Sequence, residues 1–360
     1  MILRRQAALE RLGDYVRSRL LPALGLENST FTLGIPPEGT RSVVLMLEAG
    51  SRRFVVKCFS SFLRAAQTVL ATRHLTARGA PVPNLCHYDL SPLTRMKVGF
   101  LIVVEEAIDG KNLYELERSD AHLRTAARAL ARLHMITRET WGSLLPGLGK
   151  STDHFEFMQS RLERRLDDLR MHSPEYGEVV SRSPFRAWFE SQHTRSSAAL
   201  LDRYSLCHLR ITDTNILLTR DGRAFLIDLV TARYGHHAVD LERALYRWCE
   251  HVAGKERVFL EEYFSHFTLF AREVWEQGRS YHKASFHLTQ AYRAAKEIRK
   301  FSLMDGKHYK KIRRRRRNLA RHMKRLLKVM SNAPDGPEES LIEEAREQVR
   351  SAARVARGAG

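Results

Sequence analysis

The stretch from Asn215 to Asp228, NILLTRDGRAFLID, constrains the fold more than any other part of the chain. Two apolar runs flank Asp221-Gly222, a dipeptide suited to a tight hairpin because two-residue primed turns need positive φ. If Arg220 and Arg223 close a two-residue turn, Ile216 faces Ile227, Leu217 faces Leu226, Leu218 faces Phe225 and Asn215 faces Asp228. The ribbon would then deliver an amide oxygen and a carboxylate side by side at its open end. Hard oxygen ligands of that kind suit Mg²⁺ carrying nucleotide phosphates.

The rest of the chain supplies a setting for such a ribbon. RSVVLMLEAGSRRFVVKCF reads as two strands joined at Ala49-Gly50-Ser51. A helical stretch over 60–78 follows, closed by Gly79, and then strands near 84–88 and 98–106. Beyond DGKNLYEL the pattern is helical over 119–136, 153–170, 184–203, 238–254, 256–276 and 282–300, interrupted only by the ribbon. The expected fold class is α+β: an antiparallel-sheet N-lobe over 27–108 and a helical C-lobe over 109–306, in a bilobal arrangement. An amphipathic helix over 1–26 precedes it. A basic helix over 307–330 follows, and residues 331–360 read as a linker and an exposed, solvated C-terminal helix.

Taken in order, FVVKCF, VVEEAIDG, HLRITDTNILL…FLID and AVDLERAL resemble the protein-kinase-like superfamily. The resemblance covers roughly residues 30–265. It is strongest to the small-molecule branch: aminoglycoside and choline phosphotransferases and bacterial lipopolysaccharide core kinases. It implies ATP and Mg²⁺ as cofactors. Lys57 would hold the α- and β-phosphates, Asn215 and Asp228 the metal, and the backbone at Glu106 and Ile108 the adenine. GTRSVVLML, with Gly34 and Gly39 nearby, would cover the phosphates, and Asp240 would buttress the site.

Two positions depart from that pattern. Where the superfamily carries the aspartate that accepts the acceptor's proton, this chain has Arg210, which cannot act as a base. Asp213 is the nearest carboxylate, either a replacement base or an ordinary loop cap. The lysine's usual helical carboxylate would fall near Gln67, and FLRAAQTVLATRHL contains no acid. General-base help is worth about 10²–10⁴ in rate. The chain is therefore consistent with an ATP-dependent kinase of a lipopolysaccharide-core sugar, with a nucleotide-binding pseudokinase, or with an aminoglycoside- or choline-type phosphotransferase.

Charge bears on the partner. The net charge of +19 favours an anionic substrate, such as a phosphorylated glycolipid, over the cationic acceptors common in the aminoglycoside and choline branch. Residues 307–328 hold twelve Lys or Arg and no acid, a segment suited to an anionic membrane surface. No aromatic-rich RNA-binding motif accompanies it, which argues against nucleic acid. The four cysteines form no metal-ligand or paired spacing, so a reducing, cytoplasmic setting is expected, with peripheral contact to the inner face of the membrane. The N-terminus lacks the uninterrupted apolar core of a signal peptide.

Overall fold

Residues 2–34, 43–144, 149–150, 154–198, 203–250, 252, 254–304 and 308–358 are described in the computed structural model. They gather into two compact units, each discontinuous in sequence. One is Met1–Lys150 with Tyr204–His266, and the other is Ser151–Arg203 with Phe267–Gly360.

The first unit opens with α1 (Ile2–Tyr15), which runs through a wider turn at Val16–Leu20 into the short α2 (Leu21–Ala23). Then come β1 (Phe31–Gly34), β2 (Val43–Ala49), β3 (Arg52–Phe59), α3 (Phe62–Thr76), β4 (Leu85–Asp89), α4 (Pro92–Val98) and β5 (Leu101–Glu106). The sheet is antiparallel throughout, in the order β1-β2-β3-β5-β4. Ala49 pairs with Arg52, leaving the two-residue loop Gly50-Ser51, and Gly50 takes φ 57°, which favours glycine. Alternation gives the sheet two faces. Phe54, Val56 and Cys58 pack with Leu12, Val16 and Leu20 of the N-terminal helical segment. Phe59, Leu101 and Val103 pack on the other face with Ala65 and Val69 of α3. Within the loop expected over the phosphates, Gly34 ends β1, whereas Gly39 lies outside the described residues.

The chain continues through β6 (Gly110–Asn112), α5 (Asp120–His134), β7 (Thr137–Arg138), β8 (Trp141–Ser143) and β9 (Gly149–Lys150). Next are α6 (His154–His172), α7 (Pro174–Ser181) and α8 (Ser183–Ala198) in the second unit. Back in the first unit lie β10 (Tyr204–Cys207), β11 (Ile216–Thr219), β12 (Ala224–Leu226), β13 (Arg233–Gly235), α9 (Ala238–Ala244) and α10 (Lys255–Phe264). The last elements, α11 (Leu269–Ser302), α12 (Tyr309–Ser331) and α13 (Glu339–Gly358), complete the second unit. Its core is helix on helix, with Leu166, Phe189, Leu288, Met323 and Leu326 sealed inside.

The ribbon forms, but one residue out of the expected register. Ile216 pairs with Leu226, Leu217 with Phe225 and Leu218 with Ala224. The turn is a three-residue loop, Arg220-Asp221-Gly222, closed by Thr219 N–H to Arg223 O at 2.9 Å, with Gly222 at φ 77°. Thr219 explains the difference. Its Oγ1 donates to an Asp221 carboxylate oxygen and accepts from Arg223 N–H, so the side chain stabilises the longer loop. A turn with glycine in the left-handed region is the usual alternative to the two-residue hairpin. β6 completes a three-stranded sheet on the other edge of β11.

Three helical expectations also change. The stretch 256–276 breaks at Ser265–Thr268, where the Thr268 hydroxyl accepts from Ala271 N–H and starts α11. The gap expected between 276 and 282 is absent: Gly278 lies inside α11, where a Cβ would stand 3.0 Å from His282 Nε2. It is there for close packing rather than as a terminator. The C-terminal segment is no solvated tail, since Ile342, Ala345 and Val349 of α13 are fully buried in the second unit's core.

Candidate functional site

Lys57 lies on β3 opposite Val103 of β5, and Glu105 stands two residues further along β5 on the same face. That diagonal relation brings Lys57 Nζ to 2.6 Å from Glu105 Oε2, with both side chains largely buried. The lysine's partner thus comes from the neighbouring strand rather than from the helix. At the helical position, Gln67 donates instead to Ala232 O at 3.4 Å. One signal was readable in the sequence: in LIVVEE an acid occupies the inward position after Leu101 and Val103. Removing either charge would strand the other in an apolar layer.

His208 begins the loop that carries the other groups. Its backbone N–H and that of Leu209 donate to the two oxygens of Asp240, which is fully buried. His208 Nδ1 accepts from Arg210 N–H at 3.3 Å, so Nε2 carries the proton and donates to Ile227 O at 2.8 Å. That is the neutral tautomer, and burial lowers the ring's pKa accordingly. Burial alone would raise Asp240, but the His134 imidazole, 3.5 Å from its Oδ2, and the Arg243 guanidinium hold it below the usual carboxylate range. His134 is itself oriented by Tyr263 OH at 2.7 Å from Nδ1. The Leu209 carbonyl accepts from Arg243, and Leu209 is held at φ 61°.

Arg210, Asn215 and Asp228 come together at the open end of the ribbon. Asn215 Nδ2 donates to Arg210 O at 2.9 Å, and Ile227 N–H donates to Asn215 O at 3.1 Å. Because of the register, Asn215 faces Ile227, and Asp228 lies one residue past the ladder at φ 63°. Arg210 Nη1 is 3.0 Å from Asp228 Oδ2. Two residues on, Val230 packs with Phe59 on the sheet face that carries Lys57. Asp213 is drawn elsewhere: its carboxylate is 3.5 Å from Arg118 Nη2, and its carbonyl accepts from Tyr114 N–H.

Glu106 and Ile108 stand at the other end of the ribbon. They line a cavity of about 550 Å³ with Asn84, Asp109, Phe225 and the 219–223 turn. Neither Lys57, Asn215 nor Asp228 lines it. Thr219 is four strand residues from Asn215, about 13 Å. The N–H of Glu106 is already committed to Asn84 O at 3.0 Å, so that donor is not available to an adenine ring.

An amide oxygen and a carboxylate are the right chemistry for a hard dication. The charge is not: Arg210 already neutralises the single carboxylate on one of the oxygens a dication would take. As arranged, these residues fit a guanidinium-capped Asp228 rather than a magnesium pair.

Fold and site together define a class. The sequence matches the model of the phosphotransferase enzyme family over residues 32–281, and the chain belongs to that family. Aminoglycoside phosphotransferase APH(4)-Ia shares 16% identity at a TM-score of 0.56, covering 90% of this chain and 99% of that one. A choline/ethanolamine kinase family protein from Mesorhizobium loti shares 16% identity at a TM-score of 0.53, covering 96% and 99%. A ternary complex of a thermostable APH(4)-Ia mutant with AMP-PNP and hygromycin B shares 15% identity at a TM-score of 0.54, covering 87% and 97%. At these identities the likeness is one of fold, the protein-kinase-like α+β fold. No curated protein sequence matches the chain.

Proposed function

We propose that the chain binds ATP and transfers its terminal phosphoryl group to a hydroxyl of an anionic acceptor, with positioning rather than base catalysis setting the rate. The observation that carries this is the intact brace beneath the loop. Asp240 holds two successive amides, and Leu209 is kept at φ 61°, a conformation that costs roughly 1–3 kcal/mol for a non-glycine residue. Its effect is to fix the shape of the loop bearing Arg210 and Asn215.

In this reading Lys57, held by Glu105, and Arg210, held by Asp228, supply the positive charge around the phosphates. As the acceptor oxygen bonds to phosphorus and the bridging P–O bond breaks, the hydroxyl proton passes to a phosphoryl oxygen. No loop carboxylate is placed to take it, since Asp213 serves Arg118. A loose phosphoryl-transfer transition state tolerates this, because positioning and charge neutralisation carry most of the acceleration.

The net charge of +19 directs the choice of acceptor towards a phosphorylated sugar, such as one of the lipopolysaccharide core, rather than a cationic aminoglycoside or choline. Such an acceptor belongs to an anionic membrane. A second reading, nucleotide binding without transfer, is favoured by one observation: the Arg210–Asp228 pair. The test is a thermal-shift titration with ATP, with and without magnesium, followed by γ-labelled ATP and extracted core lipopolysaccharide. Labelled glycolipid that disappears in Lys57→Ala supports transfer. Binding without label supports the second reading, and no nucleotide binding overturns both.

A further inference from the structure

The outer face of α12 carries charge that the described residues leave unanswered. Lys310, Arg314, Arg317, Arg321, Lys324 and Lys328 recur at alternating spacings of four and three, and every one is exposed. That spacing keeps them on one helical face, a stripe of about 27 Å. None of the six has an ion-pair partner among the described residues. Their neighbours behave differently: Arg315 turns to Glu297 of α11, and Lys311 Nζ lies over the Phe301 ring at 5.5 Å. The opposite face of α12 is spoken for, since Leu319, Met323, Leu326 and Met330 are sealed in the second unit's core.

A second observation lies at the end of the same hairpin. Leu303, just past α11, is 80% exposed, and Met304 and Tyr309 are each 47% exposed. Three exposed apolar side chains stand at the hairpin end from which the row of unpaired cations runs. We infer that this face of the α11–α12 hairpin docks on an anionic phospholipid bilayer, with the stripe on the headgroup phosphates and Leu303, Met304 and Tyr309 at the acyl boundary.

The geometry distinguishes this from other polyanions. A straight row of cations meets a plane of phosphates along its whole length. An amphipathic helix lying on a membrane normally contributes its own apolar face, but here that face is buried in protein. The apolar contact must then come from the hairpin end, where it is found. A nucleic-acid backbone could use the stripe but would leave the apolar tip without a partner. Among the described residues the one exposed aromatic on α12 is Tyr309, at its first turn, and none follows along the stripe for successive bases to stack on. The inference deepens the glycolipid reading by giving it a membrane partner, yet it rests on this surface alone, and ATP binding is measured separately.

The experiment uses the full chain with vesicles of phosphatidylcholine, with and without phosphatidylglycerol, at low salt. Sedimentation is expected only with the anionic vesicles. Each cation near such a surface contributes about a fivefold gain, so the combined change Arg314→Gln, Arg317→Gln and Arg321→Gln should weaken binding about a hundredfold. All three are exposed, and an unchanged ATP thermal shift verifies that the variant is folded. Leu303→Trp should add emission that shifts to the blue on anionic vesicles, read as a difference against the parent. Failure of the parent to bind, or full binding by the triple variant, would overturn the proposal. So would tighter binding to duplex nucleic acid with no shift at position 303, which would make the stripe a nucleic-acid surface.

Discussion

Residue 210 serves two partners with two different parts. Its carbonyl takes the Asn215 amide, and its guanidinium takes the Asp228 carboxylate. The first bond shapes the loop and survives any side-chain substitution; the second sets the charge at the end of the ribbon. A charge-assisted hydrogen bond is worth roughly 1.5–3 kcal/mol, so Arg210→Gln should lower ATP affinity in chelator about ten- to a hundredfold. With excess magnesium the loss should be much smaller, because Asp228 becomes available to the ion. Equal losses in both conditions, by calorimetry, would contradict Arg210 as the site's own cation. Asp213→Asn makes a sharper distinction. Asp213 is held by Arg118, so the substitution should leave transfer within about threefold, where loss of a true base typically costs 10²–10⁴. At this scale the sequence showed the cluster but not its wiring. The loop joined Arg210 to Asn215 and the ribbon brought Asp228 to the same end, one residue out of the expected register, whereas Glu105 emerged as the lysine's partner only once two strands were paired.

The ribbon shows why elements were more legible than their registers. Apolar alternation fixed the existence of β11 and β12, but one hydroxyl chose between a two- and a three-residue loop. That single residue moved Asp228 off the ladder and into a positive-φ position. A similar limit applies to α11 and α13. Whether Gly278 ends a helix or makes room for Ser196 of α8, and whether 339–358 is solvated or packed, depends on partners distant in sequence. The sequence reading also passed over α4, which lies between the expected strands, although Ser91 caps it, Pro92 opens it and Gly99 at φ 86° ends it. The ribbon's third strand offers a test. Gly110 on β6 lies against β11, and a Cβ there would stand 2.8 Å from Leu218 O, a backbone atom that cannot swing aside. Gly110→Ala should cost about 1–3 kcal/mol and lower the melting temperature by several degrees. An unchanged melt would mean that β6 is not held against the ribbon as described.

Over the whole molecule, charge and burial both oppose acid, and they can be separated. The chain already carries +19 with its sixteen histidines neutral, so each proton gained below neutrality adds repulsion. Buried histidines add a separate effect. In the second unit, burial first and then His193 push His282 down to about 3. Burial, aided by His322, Arg325 and Lys283, pushes His287 down to about 2. His287 Nδ1 lies 3.1 Å from His322 Nδ1, so a proton added to both rings would face one ring nitrogen against the other. The sign follows. A folded pKa below the unfolded value of about 6.5 means the unfolded chain binds more protons in acid. The stabilisation is complete above about pH 6.5 and is lost as pH falls towards 3 and below. Each such histidine contributes a slope of about 1.4 kcal/mol per pH unit across that window. General repulsion is screened by salt, whereas proton uptake forced by burial is not. Denaturant melts between pH 7 and 4 should therefore keep a pH dependence at high salt, and His287→Gln should reduce its slope by about one proton. A slope that vanishes in salt, or that His287→Gln leaves unchanged, would assign the acid sensitivity to net charge alone.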